Sequence, residues 1–446
     1  MGDRTLDDLL AQPVSALVVG FGLANRAVAA ALLKRGHGVV AIDDHVGDDV
    51  RSAAASLGIE LVSQPTDIEP YVLDAQVVVP APGLPEWHDA FSSAAALGVP
   101  VVSELDLAAV WDDRPVVAIT GTNGKTTSVE LAVAALEACD HVAVAAGNTD
   151  IPLVSAIDDP TIDVFVVEAS SFRLARASRF RPRVGTWLNF APDHLDVHRD
   201  VASYEAAKAR IFELVAPHGT LVANAADPVV MRNVPGGARC VTFGRGGDFH
   251  TVGDELVGPD GPFGATDELW RDLPHDIEDT LAVAASLGPI GIAPAAVVRA
   301  AASFTGLAHR ISPVGEIDGQ LYFDDSKATS PHATITAVRG FDRVVLIAGG
   351  RNKGLDLSAM AEIASHLEAV VAIGDAAEEI EVAFRPHVPV VAAHDMDAAV
   401  AVARRLSDRR FPVLLSPGCA SFDWYSSYGE RGDDFARAVG VLRGQE

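Results

Sequence analysis

The chain alternates short apolar runs with longer, alanine-rich amphipathic stretches from one end to the other. Short apolar runs suit strands that are buried on both faces, and the stretches between them suit helices that cover a parallel sheet. Near the N-terminus this alternation predicts helices at 24–35 and 50–57, and buried strands at 16–20, 38–42, 59–62, 76–79 and 99–102. Such a pattern is typical of α/β folds.

The same alternation continues to the C-terminus, with one weakly patterned interval at 232–274 that predicts loops or a small antiparallel flap. Further strands are predicted at 115–120, 141–146, 163–168, 184–189, 219–223, 320–324, 343–348, 369–373, 388–392 and 412–416, and helices at 276–288 and 294–303. The length of 446 residues is about three times that of a typical domain. We therefore predict three α/β domains in series, at 1–110, 111–307 and 308–446, the first and last Rossmann-like.

Charge and composition exclude several classes of partner. Lys and Arg number 34 against 61 Asp and Glu, which gives a net charge of −27 and disfavours nucleic acid or a polybasic membrane anchor. The sequence has neither a signal-peptide pattern nor an apolar stretch long enough to span a bilayer. Cys139, Cys240 and Cys419 form no metal-binding or disulfide pattern. We expect a cytoplasmic monomer that binds small molecules, and neither nucleic acid nor membrane.

A phosphate-binding loop is the strongest local signal. The apolar run Val116–Thr120 is followed by Gly121-Thr122-Asn123-Gly124-Lys125-Thr126-Thr127 and then by a helical stretch at 128–138. A strand, a glycine turn and a helix start direct backbone N–H groups at an anion, with Lys125 near the β- and γ-phosphates and Thr126 near Mg²⁺. Ile119 replaces the first glycine of the usual pattern. The alternative is a glycine-rich turn with a surface lysine; we favour ATP or GTP binding.

Seven strings, in order along about 20–435, resemble the Mur ligases of peptidoglycan synthesis. They include the loop at 121–127, Glu168-Ala169-Ser170-Ser171, Asp193-His194, Tyr204-Glu205-Ala206-Ala207-Lys208, His309-Arg310, Asp324-Asp325-Ser326-Lys327-Ala328-Thr329 and Ser416-Pro417-Gly418-Cys419-Ala420-Ser421. The resemblance implies an ATP-dependent ligase that activates a carboxylate as an acyl phosphate. It further implies that D-glutamate is added to UDP-N-acetylmuramoyl-L-alanine, with ADP and phosphate released, in cell-wall precursor synthesis.

The resemblance also implies a role for each matched residue. Catalysis is expected of Lys125, Glu168, His194 and Lys208, and ATP contacts of Gly121 to Thr127, Asp279, Arg310 and Asp325. Two Mg²⁺ sites are implied at Thr126, Glu168, His194 and Lys208, the last as a carbamate. The UDP-substrate is expected at Gly22, Leu23, Asn25, Asp43, Asn148 and Ser170, and glutamate at Lys327, Thr329, Lys353, Ser421 and Tyr428. The implied architecture is a UDP-binding domain, a central P-loop ATPase-type sheet and a glutamate-binding domain.

Other interpretations stay open at this point. The stretch Gly20–Asn25 with Asp43 also suggests a dinucleotide fingerprint and hence a dehydrogenase, although that reading leaves the phosphate loop unexplained. Related ligases add another amino acid, extend a folate with glutamate, or use L-glutamate. Asp276 and Asp279 stand where the resembling family has asparagines in an H-N-x-x-N pattern, which also leaves open a catalytically impaired homologue.

Overall fold

The structure is a computed structural model that describes residues 5–444. Within this range the strands form a four-stranded, two six-stranded and one three-stranded sheet, which confirms the predicted α/β class. Close contacts group the chain into two compact units. The first holds the described residues up to Phe190 with Val197–Leu269 and Glu278–Phe304, and the second holds Ala191–Asp196, Trp270–Ile277 and the chain from Thr305 onward. The three predicted domain boundaries stay a prediction.

The first sheet is parallel, with the order β3-β2-β1-β4. Its strands are β1 (Ser15–Val19), β2 (Gly38–Asp43), β3 (Glu60–Ser63) and β4 (Val77–Pro80), and the helices of this region are α1 (Leu6–Leu10), α2 (Leu23–Lys34), α3 (Asp48–Leu57), α4 (Glu69–Asp74), α5 (Asp89–Leu97) and α6 (Glu104–Trp111). The fifth strand predicted at 99–102 is wrong: only Val101 pairs, in an isolated bridge with Val78. An apolar run this short cannot by itself distinguish a strand from a buried loop.

The second sheet is also parallel and has the order β10-β9-β8-β5-β7-β6. Its strands are β5 (Val116–Thr120), β6 (Ala143–Gly147), β7 (Val164–Glu168), β8 (Val184–Trp187), β9 (Thr220–Asn224) and β10 (Cys240–Phe243). Strand β5 lies between β7 and β8, where the strand order reverses. In open parallel sheets, ligands bind beyond the carboxyl ends of the strands at such a reversal. Strand β10 was missed at the sequence level, because glycine and proline dominate its surroundings.

Helices and a flap occur between residues 121 and 304, nearly all of them in the first unit, although residues 274–277 of one helix belong to the second. The helices after β5 are α7 (Lys125–Glu137), α8 (Leu153–Ala156), α9 (Ser171–Leu174), α10 (Val201–Leu214), α11 (Pro228–Arg232), α12 (Pro274–Leu287) and α13 (Pro294–Ser303). The predicted antiparallel flap is confirmed as β11 (His250–Val252), β12 (Glu255–Gly258) and β13 (Gly261–Ala265). A continuous apolar core joins the first two sheets and includes Val18 and Phe165.

The C-terminal sheet has the order β14-β15-β19-β16-β17-β18 and is parallel except for its edge strand β14. Its strands are β14 (Ser312–Ile317), β15 (Gln320–Asp324), β16 (Val344–Gly349), β17 (Leu367–Ile373), β18 (Val390–Ala392) and β19 (Val413–Gly418), and its helices are α14 (Pro331–Val338), α15 (Ala377–Phe384), α16 (Met396–Leu406) and α17 (Tyr428–Gly444). Apolar cores cover both faces, one around Leu346 and the other around Val345. No helix within 5–444 is both long and apolar enough to cross a membrane.

Candidate functional site

The phosphate loop joins β5 to α7, and its conformation depends on one glycine and one asparagine. Gly124 precedes the helix with φ +81°, a conformation that side-chain-bearing residues rarely adopt. Asn189, just beyond β8, accepts hydrogen bonds from the N–H groups of Thr122 (3.0 Å) and Asn123 (2.9 Å). Asn189 was given no role in the sequence analysis, although its place after a strand at the same sheet edge could have indicated one.

Two lysine side chains converge on the carbonyl oxygen of Gly121. Lys125 Nζ donates to it at 2.9 Å and also to the Thr122 carbonyl at 2.8 Å. Lys208, on α10, is only 1% exposed, and its Nζ donates to the same Gly121 oxygen at 2.6 Å. Lys125 and Lys208, which lie on different helices, are therefore brought together at the same oxygen of the loop.

Glu168 ends β7 at the same edge of the sheet and is 3% exposed. Thr126 Oγ1 donates to one of its carboxylate oxygens at 2.7 Å, and Asn148 Nδ2 donates to the other at 2.9 Å. Among residues 5–444, the two side chains that donate hydrogen bonds to Glu168 are therefore both neutral. Burial, and secondly the charge of Glu168, raises the pKa of Glu130 on α7, which indicates a negative potential here. A buried carboxylate without a cationic partner beside a phosphate loop fits Mg²⁺, which needs one or two carboxylates in addition to phosphate oxygens.

A metal site built from protein side chains alone is not found among the described residues. Within the described residues no group of three or more His, Cys, Asp or Glu side chains is arranged to hold a metal ion. The set at Glu168 and Thr126 therefore fits a cation whose remaining ligands come from a bound nucleotide and water, as is usual for Mg²⁺.

Asp279, on α12, lies against the phosphate loop. Its carboxylate is 6% exposed and occupies the space that a Cβ on Gly124 would need, so a side chain at 124 would displace Asp279 in addition to straining the backbone at φ +81°. An ionised carboxylate can only accept hydrogen bonds, whereas the asparagine expected at 279 could also donate. A contact between Asp279 and the nucleotide stays a prediction.

A cleft of about 240 Å³ lies at the carboxyl edge of the first sheet and is lined in part by Gly22 and Asp43. Asp43 accepts hydrogen bonds from the N–H groups of Phe21 (2.6 Å) and His45 (2.7 Å), so it shapes the two loops that border the cleft. Leu23 is 60% exposed. Asn25 is buried and its amide nitrogen donates to the carbonyls of Val19, Gly20 and Val79, which indicates a structural rather than a ligand-facing nitrogen.

A buried histidine that the sequence analysis passed over connects this region to the second sheet. His198 is 1% exposed, with Nδ1 at 2.8 Å from Glu86 Oε1 and Nε2 at 2.9 Å from Ser171 Oγ. The neighbouring Ser170 is 6% exposed, and its Oγ has no hydrogen-bond partner within 5–444. Buried hydroxyls are normally satisfied, so Ser170 Oγ is a candidate ligand contact.

In the second unit, buried polar groups surround the ends of β15 and β19. Asp325 accepts a hydrogen bond from Ser416 Oγ at 2.7 Å, and burial raises its pKa to about 7. Arg431 is 1% exposed and donates to Ser326 Oγ (2.9 Å), to the Ser326 carbonyl (2.9 Å) and to the Cys419 carbonyl (3.1 Å). These contacts hold the segment that carries the residues predicted to bind ATP and glutamate.

Two of the residues predicted to bind glutamate are in contact: Lys327 Nζ lies 3.9 Å from the centre of the Tyr428 ring. Ser421 is 2% exposed in the loop after β19, and Thr329 is half-buried before α14. Lys353 pairs with a different residue: its Nζ lies 3.3 Å from Asp193 Oδ1. His194 has φ 57°, and its Nε2 is 3.7 Å from the same carboxylate. Burial opposes ionisation of Asp193, but His194 and Lys353 outweigh it and lower the pKa of Asp193.

Known proteins are similar to this chain over the phosphate loop and far beyond it. A family model for the Mur ligase middle domain matches residues 119–255, the stretch that contains the phosphate loop and Glu168. The UDP-N-acetylmuramoylalanine–D-glutamate ligase of Frankia casuarinae is 38% identical, over 96% of this chain and 94% of that protein.

Solved structures share the fold at lower identity. UDP-N-acetylmuramate-alanine ligase from Thermotoga maritima is 18% identical with a TM-score of 0.59 and covers 96% of this chain and 100% of that one. The MurF ligase from Thermotoga maritima, determined in complex with ADP, is 18% identical with a TM-score of 0.58 and covers 82% of this chain and 95% of that one. Identity across nearly the full length, together with the loop and its neighbours, leads to one conclusion: the chain belongs to the Mur ligase family, among the UDP-N-acetylmuramoylalanine–D-glutamate ligases.

Proposed function

We propose that this protein joins the carboxylate of UDP-N-acetylmuramoyl-L-alanine to the amine of D-glutamate, at the expense of ATP, in the cytoplasm. The observation that carries the proposal is a relative of this named activity that is 38% identical along 96% of the chain. The phosphate loop with Lys125 supports the use of ATP. It also argues against a dehydrogenase, which has no need of such a loop.

The proposed reaction has two steps. A carboxylate oxygen of the UDP-substrate attacks the γ-phosphorus of ATP, and ADP leaves, which gives an acyl phosphate. The glutamate amine then attacks the acyl carbon, phosphate leaves, and the nitrogen loses a proton. Phosphoryl transfer depends mainly on positioning and on neutralising charge. We assign this work to the N–H groups of the loop at 121–127 and to Lys125, which must exchange its bonds to loop carbonyls for phosphate oxygens.

Mg²⁺ is part of the proposal. Bound magnesium would neutralise charge that develops on the phosphate oxygens. Thr126 and Glu168 would hold it, and their mutual hydrogen bond shows that the two oxygens already lie side by side. For a second ion we propose His194 and Lys208 as ligands, with Lys208 as a carbamate. Carbamylation needs a neutral amine, whereas an ordinary lysine has a pKa of about 10.4, so the burial of Lys208 favours the reaction.

The remaining contacts follow the two other substrates. The cleft beside Gly22 and Asp43 would take the UDP portion, with Ser170 Oγ and Asn148 closer to the sugar. Lys327 and Lys353 would neutralise glutamate carboxylates, with Thr329, Ser421 and Tyr428 around them. The net charge of −27 repels all three anionic substrates. The Debye length at physiological salt is about 8 Å, so surface charges farther away than that are largely screened. The lysines beside the substrates therefore determine the local electrostatic attraction. We further propose a monomer of three domains.

One assay tests the proposal: phosphate release from ATP with UDP-N-acetylmuramoyl-L-alanine, in the presence of D-glutamate, L-glutamate or neither. We expect release that depends on both the UDP-substrate and D-glutamate. Equal release with L-glutamate would correct the stereochemistry, and no release with either isomer would reject the ligase. Intact-mass measurement in bicarbonate separately tests the carbamate. The wild-type protein should show a mass increment of one CO₂, and the Lys208→Arg variant should lack it.

A further inference from the structure

The segment around Arg310 has an unusual backbone. His309 has φ 60° and Ile311 has φ 49°, so two residues with side chains adopt the left-handed region on either side of Arg310. For a β-branched residue such as isoleucine this conformation is a genuine outlier that costs free energy. A strained segment persists only where the surrounding contacts over-determine it.

One arginine supplies the contacts that hold this segment. Arg271 Nη1 donates to the carbonyl oxygens of both Arg310 (2.9 Å) and Ile311 (2.8 Å). On the opposite side, the Ile311 N–H donates to the carboxylate of Asp325, and His309 Nδ1 lies 2.6 Å from Asp324 Oδ2. All of these residues lie in the second unit.

The guanidinium of Arg271 is itself oriented by Asp276, which is 1% exposed. Its Nε donates to one carboxylate oxygen at 2.8 Å and its Nη2 donates to the other at 3.0 Å, which leaves Nη1 for the two carbonyls. This paired geometry needs the planar fork of arginine and both oxygens of a carboxylate. Asp276 is one of the two positions where the chain has aspartate in place of an asparagine of the family's H-N-x-x-N pattern. The negative charge that this aspartate introduces is paired with Arg271.

We propose that Arg271 and Asp276 form a clamp that positions Arg310 for the nucleotide, Arg271 acting through the backbone of 310–311 and Asp276 acting through Arg271. The proposal rests on the proposed function, in which Arg310 contacts ATP. It assigns no substrate contact to Arg271 or Asp276, which are positioning residues. It also gives the change at 276 a structural purpose and removes it as a sign of lost catalysis.

The test is a double-mutant cycle on phosphate release, with ATP as the varied substrate. We expect Arg271→Met to lower kcat/KM for ATP by about 10- to 100-fold, the scale of a misplacement of about 1 Å, and to change the KM values for the UDP-substrate and glutamate little. Because Arg271 acts through Arg310, the same substitution in an Arg310→Ala background should add almost nothing. Multiplicative losses in the double variant, or an unchanged kcat/KM for ATP in Arg271→Met, would overturn the clamp.

Two further variants separate positioning from general destabilisation. Arg404 is also buried in the second unit and pairs with Asp318 at 2.7 Å, so Arg404→Met is a matched control that should lower the unfolding temperature and preserve kcat/KM for ATP. An equal loss of kcat/KM for ATP in Arg404→Met would overturn the proposal. Arg271→Lys keeps the charge without the fork and should fail to restore activity; full restoration would likewise overturn it.

A binding measurement keeps the clamp testable apart from the proposed reaction. If the wild-type protein releases no phosphate, the proposed function fails, and calorimetric titration with ATP and Mg²⁺ then decides the clamp. Arg271→Met should weaken ATP binding about 10-fold while Arg404→Met leaves it unchanged. Equal ATP affinity in wild type and Arg271→Met would overturn the clamp by itself.

Discussion

The phosphate loop and the segment 309–329, which includes β14 and β15, both contain buried polar groups, but their conformations are fixed in different ways. The loop uses glycine at its left-handed position, Gly124, and a helix that begins at the next residue. The later segment places His309 and Ile311 in the left-handed region without glycine and relies on residues 271, 276, 324 and 431 for support. A conformation encoded locally leaves a motif in the sequence, whereas one held by distant side chains does not.

The largest expected effect is chemical and belongs to the loop. Lys125→Ala should reduce phosphate release about 10³-fold, because the ammonium group stabilises charge on the transferred phosphoryl group. The unfolding temperature should change much less than turnover, since the bonds from Lys125 to the carbonyls of Gly121 and Thr122 lie within its own loop. Lys34→Ala, at an exposed lysine paired with Asp158, is the control for both measurements. Retained turnover in Lys125→Ala would remove the assignment of the loop.

The next effect is on stability and belongs to the later segment. Arg431→Met should lower the free energy of unfolding by about 3–5 kcal/mol, because it strips hydrogen bonds from buried acceptors on Ser326 and Cys419. Urea denaturation measures the loss. Arg437→Met, which removes an exposed arginine from the same helix, should leave the midpoint almost unchanged. If both variants unfolded alike, the segment would not depend on the buried arginine.

The pH dependence of stability should also distinguish the segment from the loop. The folded pKa of Asp325 is about 7, against an ordinary 3.8, so the folded protein retains a proton that the unfolded chain has lost. Stability from this group is complete below about pH 4 and falls as pH rises towards 7, on the order of 4 kcal/mol. Denaturant midpoints from pH 4 to pH 8 for wild type and Asp325→Asn should therefore diverge with rising pH. Parallel profiles would contradict the raised pKa.

The smallest effect concerns Asn189, which supports the loop from beyond β8. Asn189→Ala removes the acceptor for the N–H groups of Thr122 and Asn123 and should raise the KM for ATP about tenfold, or about 1–2 kcal/mol. Asn233→Ala, at another half-buried amide in the first unit, serves as the control and should leave this KM unchanged. A loss as large as that of Lys125→Ala would mean that the loop, too, depends on distant contacts.

Much of the fold was predictable because buried parallel strands are short apolar runs with regular spacing. The wrong predictions have physical reasons. The run at 99–102 is apolar but forms only one bridge to the sheet. Strands β10 and β14 were missed because they lie at sheet edges, where fewer positions need an apolar side chain. Part of the candidate site was also predictable, since Thr126 and Glu168 meet at the carboxyl edge of the second sheet. His198 and Asn189 were missed because a single polar residue carries no periodic signal.

The sequence by itself determined the α/β class, the phosphate loop and the order of motifs that resembles the Mur ligases, because each depends on neighbours within a few residues or on a fixed order of strings. Only the tertiary structure decided that Lys208 shares an acceptor with Lys125, that Asp43 bonds to Phe21, and that Asp276 is paired with Arg271. Those contacts join side chains from different elements, and the energy of burying a charge depends on the partner it finds there rather than on its neighbours in the chain.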